Sequence, residues 1–377
     1  MLDYGPLDVS FVNATSPSCD SFLVRLWGWL NRRCPWILLW CAVPYGAIAG
    51  LRRIGYQRGW LPQHRLPKPV ISVGNMTVGG TGKTPLVIWL ASRLNEQGKQ
   101  VAILSRGYGR QGSAVNMLVS DGMSLKADWR TAGDEAVLMA QKCPWAIVAV
   151  GKDRYRLGCW VLEQAACDCF LLDDGFQHLP LHRDQDILLF DATDIEGLTK
   201  VLPAGRMREP LSAAQWATTI VFSRTESVLS VEPLQTRIEQ CLGKSITPLL
   251  MEIAPTCLIH IPTGMTKGID SFKNKSLLLV SGIGNPSSFR FSVISCGLEV
   301  GAEIRYPDHF AYSEKDVEEI CRKMKKFGSD LVVTTEKDAL KLREFLRSDD
   351  PLWALEVQAN MTQGEAQIRE RLHGICH

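Results

Sequence analysis

The chain has 377 residues, of which 46% are hydrophobic, and its formal net charge is +2. This length is sufficient for two domains that each bury a core, and the nearly neutral balance indicates no particular class of partner. The twelve cysteines are scattered without a CxxC pair, which argues against a disulfide framework and favours reduced thiols in a cytosolic compartment.

The first sixty residues contain a basic segment without carboxylates. No acidic residue occurs between Asp20 and Glu96, and arginine pairs at 32–33 and 52–53 flank residues 34–51, which carry no charge. This combination suits an anionic membrane face or a polyanion. Tryptophans, which favour the bilayer interface, are also concentrated in this region.

Three structures are compatible with the apolar run. Its length approaches the minimum of about 20 residues for a spanning helix. Pro35 and Pro44 interrupt it, however, and the flanking arginines fit a helix lying in one interface at least as well. The third possibility is a buried helix hairpin that covers the following domain. We expect residues 1–60 to form a membrane-associating helical segment, whether it spans the bilayer or lies on it.

Residues 75–85, NMTVGGTGKTP, are predicted to bind nucleotide phosphates. A strand pattern, KPVISVG, precedes them and a helical pattern follows, which is the context of a phosphate loop. Pro85 fits the first helical turn, where its missing N–H has no intrahelical acceptor. Lys83 is expected to contact the β- and γ-phosphates of ATP, and Thr84 to bind Mg²⁺. The predicted cofactor-binding residues are Gly79, Gly80, Thr81, Gly82, Lys83 and Thr84.

The loop departs from the generic G-x-x-x-x-G-K-[ST] pattern, because Thr77 occupies the position of the first glycine. The string VGGTGKT resembles the variant loop of partitioning-type ATPases, except that Val78 stands where those proteins have a signature lysine. No N-K-x-D guanine motif occurs, which disfavours a GTPase.

Two further strand patterns end in basic loops, at QVAILSRGYGR (100–110) and WAIVAVGKDR (145–154). Arg106 and Arg110 indicate either an anionic group near the phosphates or solvated loop charges, and the residues alone do not decide between them. In TAGDEAVLMAQK (131–142), Asp134 lies at a predicted helix start, where a simple N-cap is the commoner role.

The string CDCFLLDDGFQH (167–178) predicts a buried strand that ends in Asp173 and Asp174. Adjacent carboxylates at a strand end bind Mg²⁺ in phosphate-loop enzymes; the alternative is an Asp-Asp-Gly turn. The patterns DILLFDA (186–192) and TTIVFSR (218–224) complete a set of alternating strands, so we expect a mainly parallel sheet.

In the second half, residues 276–286, 303–313, 330–342 and 352–357 are predicted strands separated by helices. Polar motifs at their ends fall where open α/β sheets bind ligands. His309 is therefore a candidate acid or base, although a lone histidine is more often structural.

The predicted fold class is α/β, with a P-loop NTPase-like core containing a mainly parallel sheet, a second smaller α/β domain and the N-terminal helical segment. The expected boundaries are 1–60 for the segment, 61–260 for the kinase core and 261–377 for the smaller domain.

Taken together, these motifs resemble those of the tetraacyldisaccharide 4'-kinase family, the lipid A kinases of Gram-negative bacteria. The matching strings are GNMTVGGTGKTP, SRGYGR, GDE, DDGFQH, AGRMREP, GIGNP, DHF and TTEKDA, in the order of the family. The resemblance implies Mg²⁺- and ATP-dependent phosphorylation of the 4'-hydroxyl of an acylated glucosamine disaccharide 1-phosphate, in lipopolysaccharide biosynthesis. It further implies two domains that close around ATP, and a location at the cytoplasmic face of the inner membrane. A lipid surface is thus an expected partner, whereas nucleic acid is not, and the chain is expected to be monomeric.

The resemblance also assigns roles to particular side chains. Asp134 of GDE and His309 of DHF match the pair that accepts the proton of the sugar hydroxyl. Asp173, Asp174 and Glu209 match carboxylates that govern the placement of metal and nucleophile.

The expected ligands of Mg²⁺ are accordingly Thr84, Asp174 and Glu209. Arg106, Gln177 and Arg208 match residues that meet the anionic disaccharide or the transferring phosphoryl group.

Two other functions were compatible with parts of the chain. A P-loop kinase acting on a soluble metabolite would not need the apolar, basic N-terminus. A membrane-bound ATPase switch of the partitioning type would need the lysine that Val78 replaces.

Overall fold

The computed structural model describes residues 10–13, 33–111 and 114–375. The strands are β1 (Ser10–Asn13), β2 (Val70–Asn75), β3 (Val101–Ser105), β4 (Asn116–Asp121), β5 (Ile147–Gly151), β6 (Cys169–Asp173), β7 (Gln185–Asp191), β8 (Thr219–Ser223), β9 (Leu249–His260), β10 (Thr266–Gly268), β11 (Ser276–Ser281), β12 (Glu299–Arg305), β13 (Leu331–Thr335) and β14 (Leu352–Gln363). The α-helices are α1 (Pro35–Gln57), α2 (Lys83–Glu96), α3 (Trp129–Ala132), α4 (Asp134–Lys142), α5 (Arg154–Gln164), α6 (Glu232–Leu242), α7 (Pro286–Ser295), α8 (Glu314–Lys326), α9 (Glu336–Leu342) and α10 (Glu365–Ile375).

The chain divides into two compact units. Among the described residues, the larger unit contains 33–253 and 359–375, and the smaller contains 254–358 together with β1. The division at 253/254 lies close to the predicted boundary at 260/261. Residues 359–375 belong to the larger unit and not to the predicted smaller domain, and β14 begins in the smaller unit and ends in the larger one. Of the predicted N-terminal segment, residues 33–60 belong to the larger unit and β1 to the smaller one, and residues 1–9 and 14–32 lie outside the described residues.

The sheet of the larger unit has the strand order β9-β8-β7-β2-β6-β3-β5-β4. Its pairs are parallel except for β4, which runs antiparallel to β5 at the edge. Strands β2, β3, β5, β6 and β7 are buried along their whole length, as expected where helices cover both faces of a parallel sheet. The predicted mainly parallel α/β core is therefore confirmed, although the sequence patterns gave no indication of β4.

In the smaller unit the sheet follows the order β1-β12-β11-β13-β14, and its pairs are parallel. The short strand β10 pairs antiparallel with β9. Apolar clusters cover both faces of this sheet, one around Leu278, Ile304 and Val332, the other around Leu279 and Val333. Alternation of strands and helices thus predicted this second α/β unit correctly.

Two predicted strands in the smaller unit are shorter than expected. The strand predicted over 303–313 ends at Arg305, because Pro307 has no N–H to donate to a ladder and His309 adopts a left-handed φ of 58°. The strand predicted over 330–342 ends at Thr335, whose hydroxyl accepts from the Asp338 N–H and caps helix α9.

Helix α1 runs without a break from Pro35 to Gln57, although Pro44 lies inside it. Proline at the first helical position sacrifices no intrahelical bond. At position 44 the missing N–H leaves only the carbonyl of Trp40 without its intrahelical donor, and the residue Trp40 is 78% exposed. The predicted interruption at Pro44 is therefore wrong. By length and composition alone α1 could cross a membrane. One face packs on the protein through Leu38, Ala42 and Gly46.

Candidate active site

The phosphate loop connects the buried strand β2 to helix α2. Gly82 caps the helix with a left-handed φ of 86°, and a Cβ there would lie 2.9 Å from Ile253 Cδ1. Gly79 has a φ of 121°, a backbone conformation that residues other than glycine rarely adopt. Lys83 begins the helix, and Pro85 occupies its first turn as predicted. The loop thus presents backbone N–H groups and a helix N-terminus, a combination that binds phosphate.

Asp173 and Asp174 lie beside this loop. The end of β6 is in register with the end of β2, with Val73 opposite Asp173. Lys83 Nζ lies 3.5 Å from Asp174 Oδ1, and the Ser105 hydroxyl donates to Asp173 Oδ2 at 2.9 Å. Asp174 has a left-handed φ of 52°, so the backbone turns sharply here and the two neighbouring carboxylates face different surroundings.

The environments of the two carboxylates shift their acidities in opposite directions. Burial, followed by the charges of Glu135 and Asp174, raises the pKa of Asp173 to about 6. Burial also opposes ionisation of Asp174, but Lys83 and Arg208 outweigh it and lower the pKa of this carboxyl. Asp174 therefore stays ionised to a lower pH than Asp173, which takes up a proton near pH 6.

These residues fit a magnesium ion. Asp173 Oδ1 is buried and has no hydrogen-bond partner among the described residues, which suits an oxygen that meets a cation. Thr84 is buried one residue beyond Lys83. The described ranges contain no group of three or more acidic, histidine or cysteine side chains that could hold a metal by themselves. Mg²⁺ commonly combines one or two carboxylates with substrate phosphates and water, which matches this donor set.

The predicted substrate-binding residues Gln177 and Arg208 are brought together with Asp174. Arg208 Nη1 donates to Asp174 Oδ2 at 2.7 Å and to Gln177 Oε1 at 3.3 Å. Gln177 Nε2 in turn donates to the carbonyl of Asn75 at the end of β2, at 2.9 Å. Arg106 is exposed, and its positive charge contributes to lowering the pKa of Arg154. Two of the three predicted side chains therefore belong to one hydrogen-bonded group at the carboxylate pair.

Glu209 has a different environment from the one predicted. Arg53 of helix α1 donates to both of its carboxylate oxygens, Nε to Oε2 at 2.5 Å and Nη2 to Oε1 at 2.9 Å. The side chains are only 2% and 5% exposed. Arg53 also donates to the carbonyl of Phe176 and lies over its ring. Both of its oxygens bind a buried guanidinium, so Glu209 anchors α1 in this structure, and its expected role as a magnesium ligand stays a prediction.

Asp134 is the first residue of helix α4, and Gly133, not Asp134, is its N-cap. The aspartate is 5% exposed, and its Oδ1 accepts the N–H of Glu135 at 2.9 Å. A Cβ on Gly133 would lie 2.8 Å from the carbonyl of Tyr108, so the start of α4 abuts the SRGYGR loop. Simple capping does not explain this buried aspartate, which leaves the role implied by the family as a prediction.

His309 lies in the smaller unit, in the turn after β12. Its N–H donates to the carbonyl of Gly282 at 3.1 Å, and the N–H of Gly282 donates to the buried Asp338 at 2.9 Å. These bonds hold the histidine in its left-handed conformation. Strain at a histidine in a turn is compatible with a functional role, and the pairing of His309 with Asp134 stays a prediction.

The sequence did not predict the roles of two buried arginines of the site, Arg154 and Arg53. Arg154 is 3% exposed; burial lowers its pKa to about 10, while Asp173 and Asp174 act in the opposite direction. Its position at the end of the β5 motif was the available signal. Arg53 was recognised only as part of a basic flank. No pattern indicated that this arginine is buried.

We predict that His178, in the same motif as Asp174, makes stability sensitive to mild acid. Burial, with the charges of Arg154, Arg183 and Arg52, lowers its pKa from 6.5 to about 4 against the opposing effect of Asp153. The unfolded chain therefore takes up a proton near pH 6.5 that the folded chain resists, so stability is lost as the pH falls from about 6.5 towards 4.

Thermal denaturation at pH 7 and pH 5 measures this effect. His178→Gln should lose less stability between these two values than the unaltered chain, and the exposed His373→Gln should behave like the unaltered chain. Equal losses in all three proteins would contradict the prediction.

The chain was compared with known proteins. The family model for tetraacyldisaccharide-1-P 4'-kinase matches residues 34–376. The tetraacyldisaccharide 4'-kinase of Geobacter sulfurreducens is 37% identical over 321 residues, which cover 83% of this chain and 86% of that protein. The enzyme of the same name from Pelobacter propionicus is 39% identical over 298 residues, covering 79% and 80%. The crystal structure of LpxK from Aquifex aeolicus in complex with ATP matches with a TM-score of 0.73 and 33% identity, over 91% of this chain and 99% of that one.

Proposed function

The chain belongs to the tetraacyldisaccharide-1-P 4'-kinase family, and from this premise we propose how its residues perform the reaction. It is a kinase that uses ATP and Mg²⁺ to phosphorylate the 4'-hydroxyl of tetraacyldisaccharide 1-phosphate, a lipid A precursor. The observation that carries the residue assignment is the registered pairing of β2 with β6, which sets the phosphate loop beside Asp173 and Asp174.

In this proposal the nucleotide end of the site is built from Lys83, Thr84 and the loop amides. Lys83 neutralises charge on the β- and γ-phosphates. Thr84, Asp173 and Asp174 would hold Mg²⁺, which supplies charge neutralisation on the phosphate oxygens when bound. Asp174 remains ionised beside Lys83 and Arg208 because both cations lower its pKa, so it offers a carboxylate throughout the neutral range.

The acceptor end requires a base, because a sugar hydroxyl is barely acidic. The 4'-oxygen attacks the γ-phosphorus, the bond from that phosphorus to the β,γ-bridging oxygen breaks, and ADP leaves. We assign the proton of the hydroxyl to Asp134, with His309 as the second member of the pair. Arg208 and Gln177, joined to Asp174, are assigned to the anionic acceptor or the transferring group, together with Arg106. Most of the rate enhancement in such transfers comes from positioning and charge stabilisation.

Transfer of label from [γ-³²P]ATP to tetraacyldisaccharide 1-phosphate tests the activity. We expect the label in the lipid fraction, in an amount that depends on Mg²⁺. ATP consumption without labelled lipid would contradict the proposed acceptor, whereas labelling of a soluble sugar in preference to the lipid would favour a kinase for a soluble metabolite.

We predict that Asp134→Ala lowers kcat by about 10²-fold, the lower end of what a general base contributes. His309→Ala should lower kcat as well, and in both variants the Kd for ATP should change far less. Steady-state kinetics and calorimetric titration with ATP measure the two quantities. Asp128→Ala is a matched control, since Asp128 caps the neighbouring helix α3 through the Thr131 N–H and should affect stability rather than kcat. Near-normal turnover of either variant would remove that residue from the proposed pair.

Membrane association is the finer part of the proposal, and helix α1 supports it. Its outer face exposes Trp36, Trp40, Val43, Ile48 and Leu51, each at least 60% accessible. Its inner face is tied to the site, since Tyr45 donates to the carbonyl of Arg208 and Arg52 donates to that of Gln177. A helix with an exposed apolar face and arginines nearby suits the anionic, cytoplasmic face of the inner membrane. Such docking would bring an acylated substrate to the carboxylate pair.

We predict that the double variant Trp40→Gln/Ile48→Gln binds anionic phospholipid vesicles several-fold more weakly, because each apolar side chain contributes to insertion in proportion to its buried area. Co-sedimentation measures the binding. Leu229→Gln, which alters a fully exposed leucine elsewhere, is the control and should sediment normally. Turnover of detergent-solubilised substrate should persist in all variants. Unchanged sedimentation of the double variant would argue against docking through this face.

A further inference from the structure

The phosphate loop contains backbone donors that have no acceptor among the residues that the structure describes. Among the described residues, the N–H groups of Gly79, Gly80, Thr81 and Gly82 donate to no backbone carbonyl or side chain. Unpaired donors at a glycine loop suit phosphate oxygens. These N–H groups can bind phosphate only if they point towards it, because a flexible glycine loop could turn the same groups towards water.

The orientation is fixed from behind by hydrogen bonds to the loop carbonyls. Arg206 donates to the Val78 carbonyl at 2.9 Å, Arg224 to that of Gly80 at 2.7 Å, and the Ser223 hydroxyl to that of Thr81 at 2.8 Å. In a planar trans peptide the carbonyl of one residue and the N–H of the next point in opposite directions. Fixing these carbonyls therefore aims the N–H groups of residues 79, 81 and 82 away from the anchoring side chains.

Arg224 is the most constrained of the anchors. It follows β8 with a left-handed φ of 57°, which is uncommon for a residue with a Cβ, and it is 8% exposed. The same Nη1 that binds the Gly80 carbonyl is paired with Asp191 at the end of β7. Asp191 is held in turn, because its Oδ1 accepts from the N–H and the hydroxyl of Thr193. The carboxylate thus fixes the guanidinium, and the guanidinium fixes the loop.

We propose that Arg224, fixed by Asp191, is a positioning residue for ATP: it holds the Gly80–Thr81 peptide plane so that the Thr81 N–H faces the phosphates. Arg224 does not contact the nucleotide in this proposal and acts through the loop backbone. Ser223 performs the same task for the next peptide plane. The arrangement explains why the TTIVFSR strand ends in a polar pair whose side chains point back at the phosphate loop rather than into solvent.

The proposal predicts a defect confined to phosphate binding. Arg224→Gln should raise KM for ATP by about tenfold, as expected for the loss of a charge-assisted hydrogen bond, and leave KM for the lipid acceptor unchanged. The inhibition constant of inorganic tripolyphosphate, measured in competition with ATP, should rise by the same factor. Arg224→Lys should recover part of the loss, since it restores a donor and a positive charge. Asp191→Asn should raise KM for ATP too, and the double variant with Arg224→Gln should show less than the product of the two effects.

A matched control separates positioning from general destabilisation. Arg183→Gln breaks another buried arginine–aspartate pair in the same unit, with Asp186, which has no bond to the phosphate loop. It should lower Tm as Arg224→Gln does, without changing KM for ATP. Ser223→Ala, which removes only a hydroxyl, serves if Arg224→Gln does not fold and should raise KM for ATP by a smaller factor. The proposal is overturned if the Arg224 and Ser223 variants keep a normal KM for ATP and normal tripolyphosphate inhibition, or if KM for both substrates rises equally.

Discussion

Replacing Lys83 by methionine is expected to lower phosphoryl transfer by about 10³-fold or more, comparable to the loss of a cationic group that stabilises a phosphoryl-transfer transition state. Lys83 is the first residue of α2. Its side chain is 12% exposed, and its Nζ lies 3.5 Å from Asp174 Oδ1. Methionine has a similar length but no charge. The substitution therefore removes positive charge from the phosphates and also leaves Asp174 with Arg208 as its main cationic neighbour.

Single-turnover transfer of label to the lipid measures this effect without interference from product release. Lys99→Met, just beyond the opposite end of α2, is the matched control, because it removes the same charge from the same region of sequence without touching the loop. The control should transfer label at the normal rate. If Lys83→Met retained more than a tenth of the activity, Lys83 would not have the role assigned to it.

The parts of this site that the sequence predicted are those whose geometry is local. A strand, a glycine loop and a helix start follow one another within residues 68–96, so backbone rules alone place Lys83 and Thr84. Asp173 and Asp174 could be predicted for a related reason, since they end a buried strand, and parallel strands bring their carboxyl ends to one edge of the sheet. The structure places both groups where these rules require.

The contacts that the sequence did not predict depend on partners distant along the chain. Glu209 is adjacent to Arg208, yet the cation that holds it is Arg53, 156 residues away along the chain. Nothing in a basic, apolar N-terminus indicates that one arginine is buried. Arg224 poses the same difficulty, because its partners are the Gly80 carbonyl, 144 residues away, and Asp191.

One strand boundary in the smaller unit is indicated by the residues themselves. The strand predicted over residues 330–342, DLVVTTEKDALKL, ends at Thr335. Thr335, followed three residues later by Asp338, is a helix-start pattern, and the structure shows the threonine capping α9. A short apolar strand that enters a capped helix is the same arrangement as in the phosphate loop, so consistent use of capping signals would have placed this boundary.

Breaking the Arg53–Glu209 pair is expected to produce the largest loss of stability of any single change discussed here. Both side chains are almost fully buried, so removing one partner leaves an uncompensated charge, which typically costs about 3–5 kcal/mol. Arg53→Met and Glu209→Met should each show this loss in urea unfolding. The double variant should be more stable than either single variant, because it leaves no buried charge. Arg93→Met, which breaks the exposed pair with Glu96, is the control and should cost at most about 0.5 kcal/mol.

The same variants decide between the two roles of Glu209. If the carboxylate only anchors α1 through Arg53, the double variant should require the same Mg²⁺ concentration for half-maximal activity as the unaltered chain, even if its binding to vesicles changes. If Glu209 were a magnesium ligand, the double variant would be stable and yet require several-fold more Mg²⁺. A loss of stability in the double variant that equals the sum of the losses in the two single variants would instead show that the pair is not energetically coupled. The bidentate contact at 2.5 and 2.9 Å favours the first outcome, since a buried guanidinium already binds both oxygens of the carboxylate.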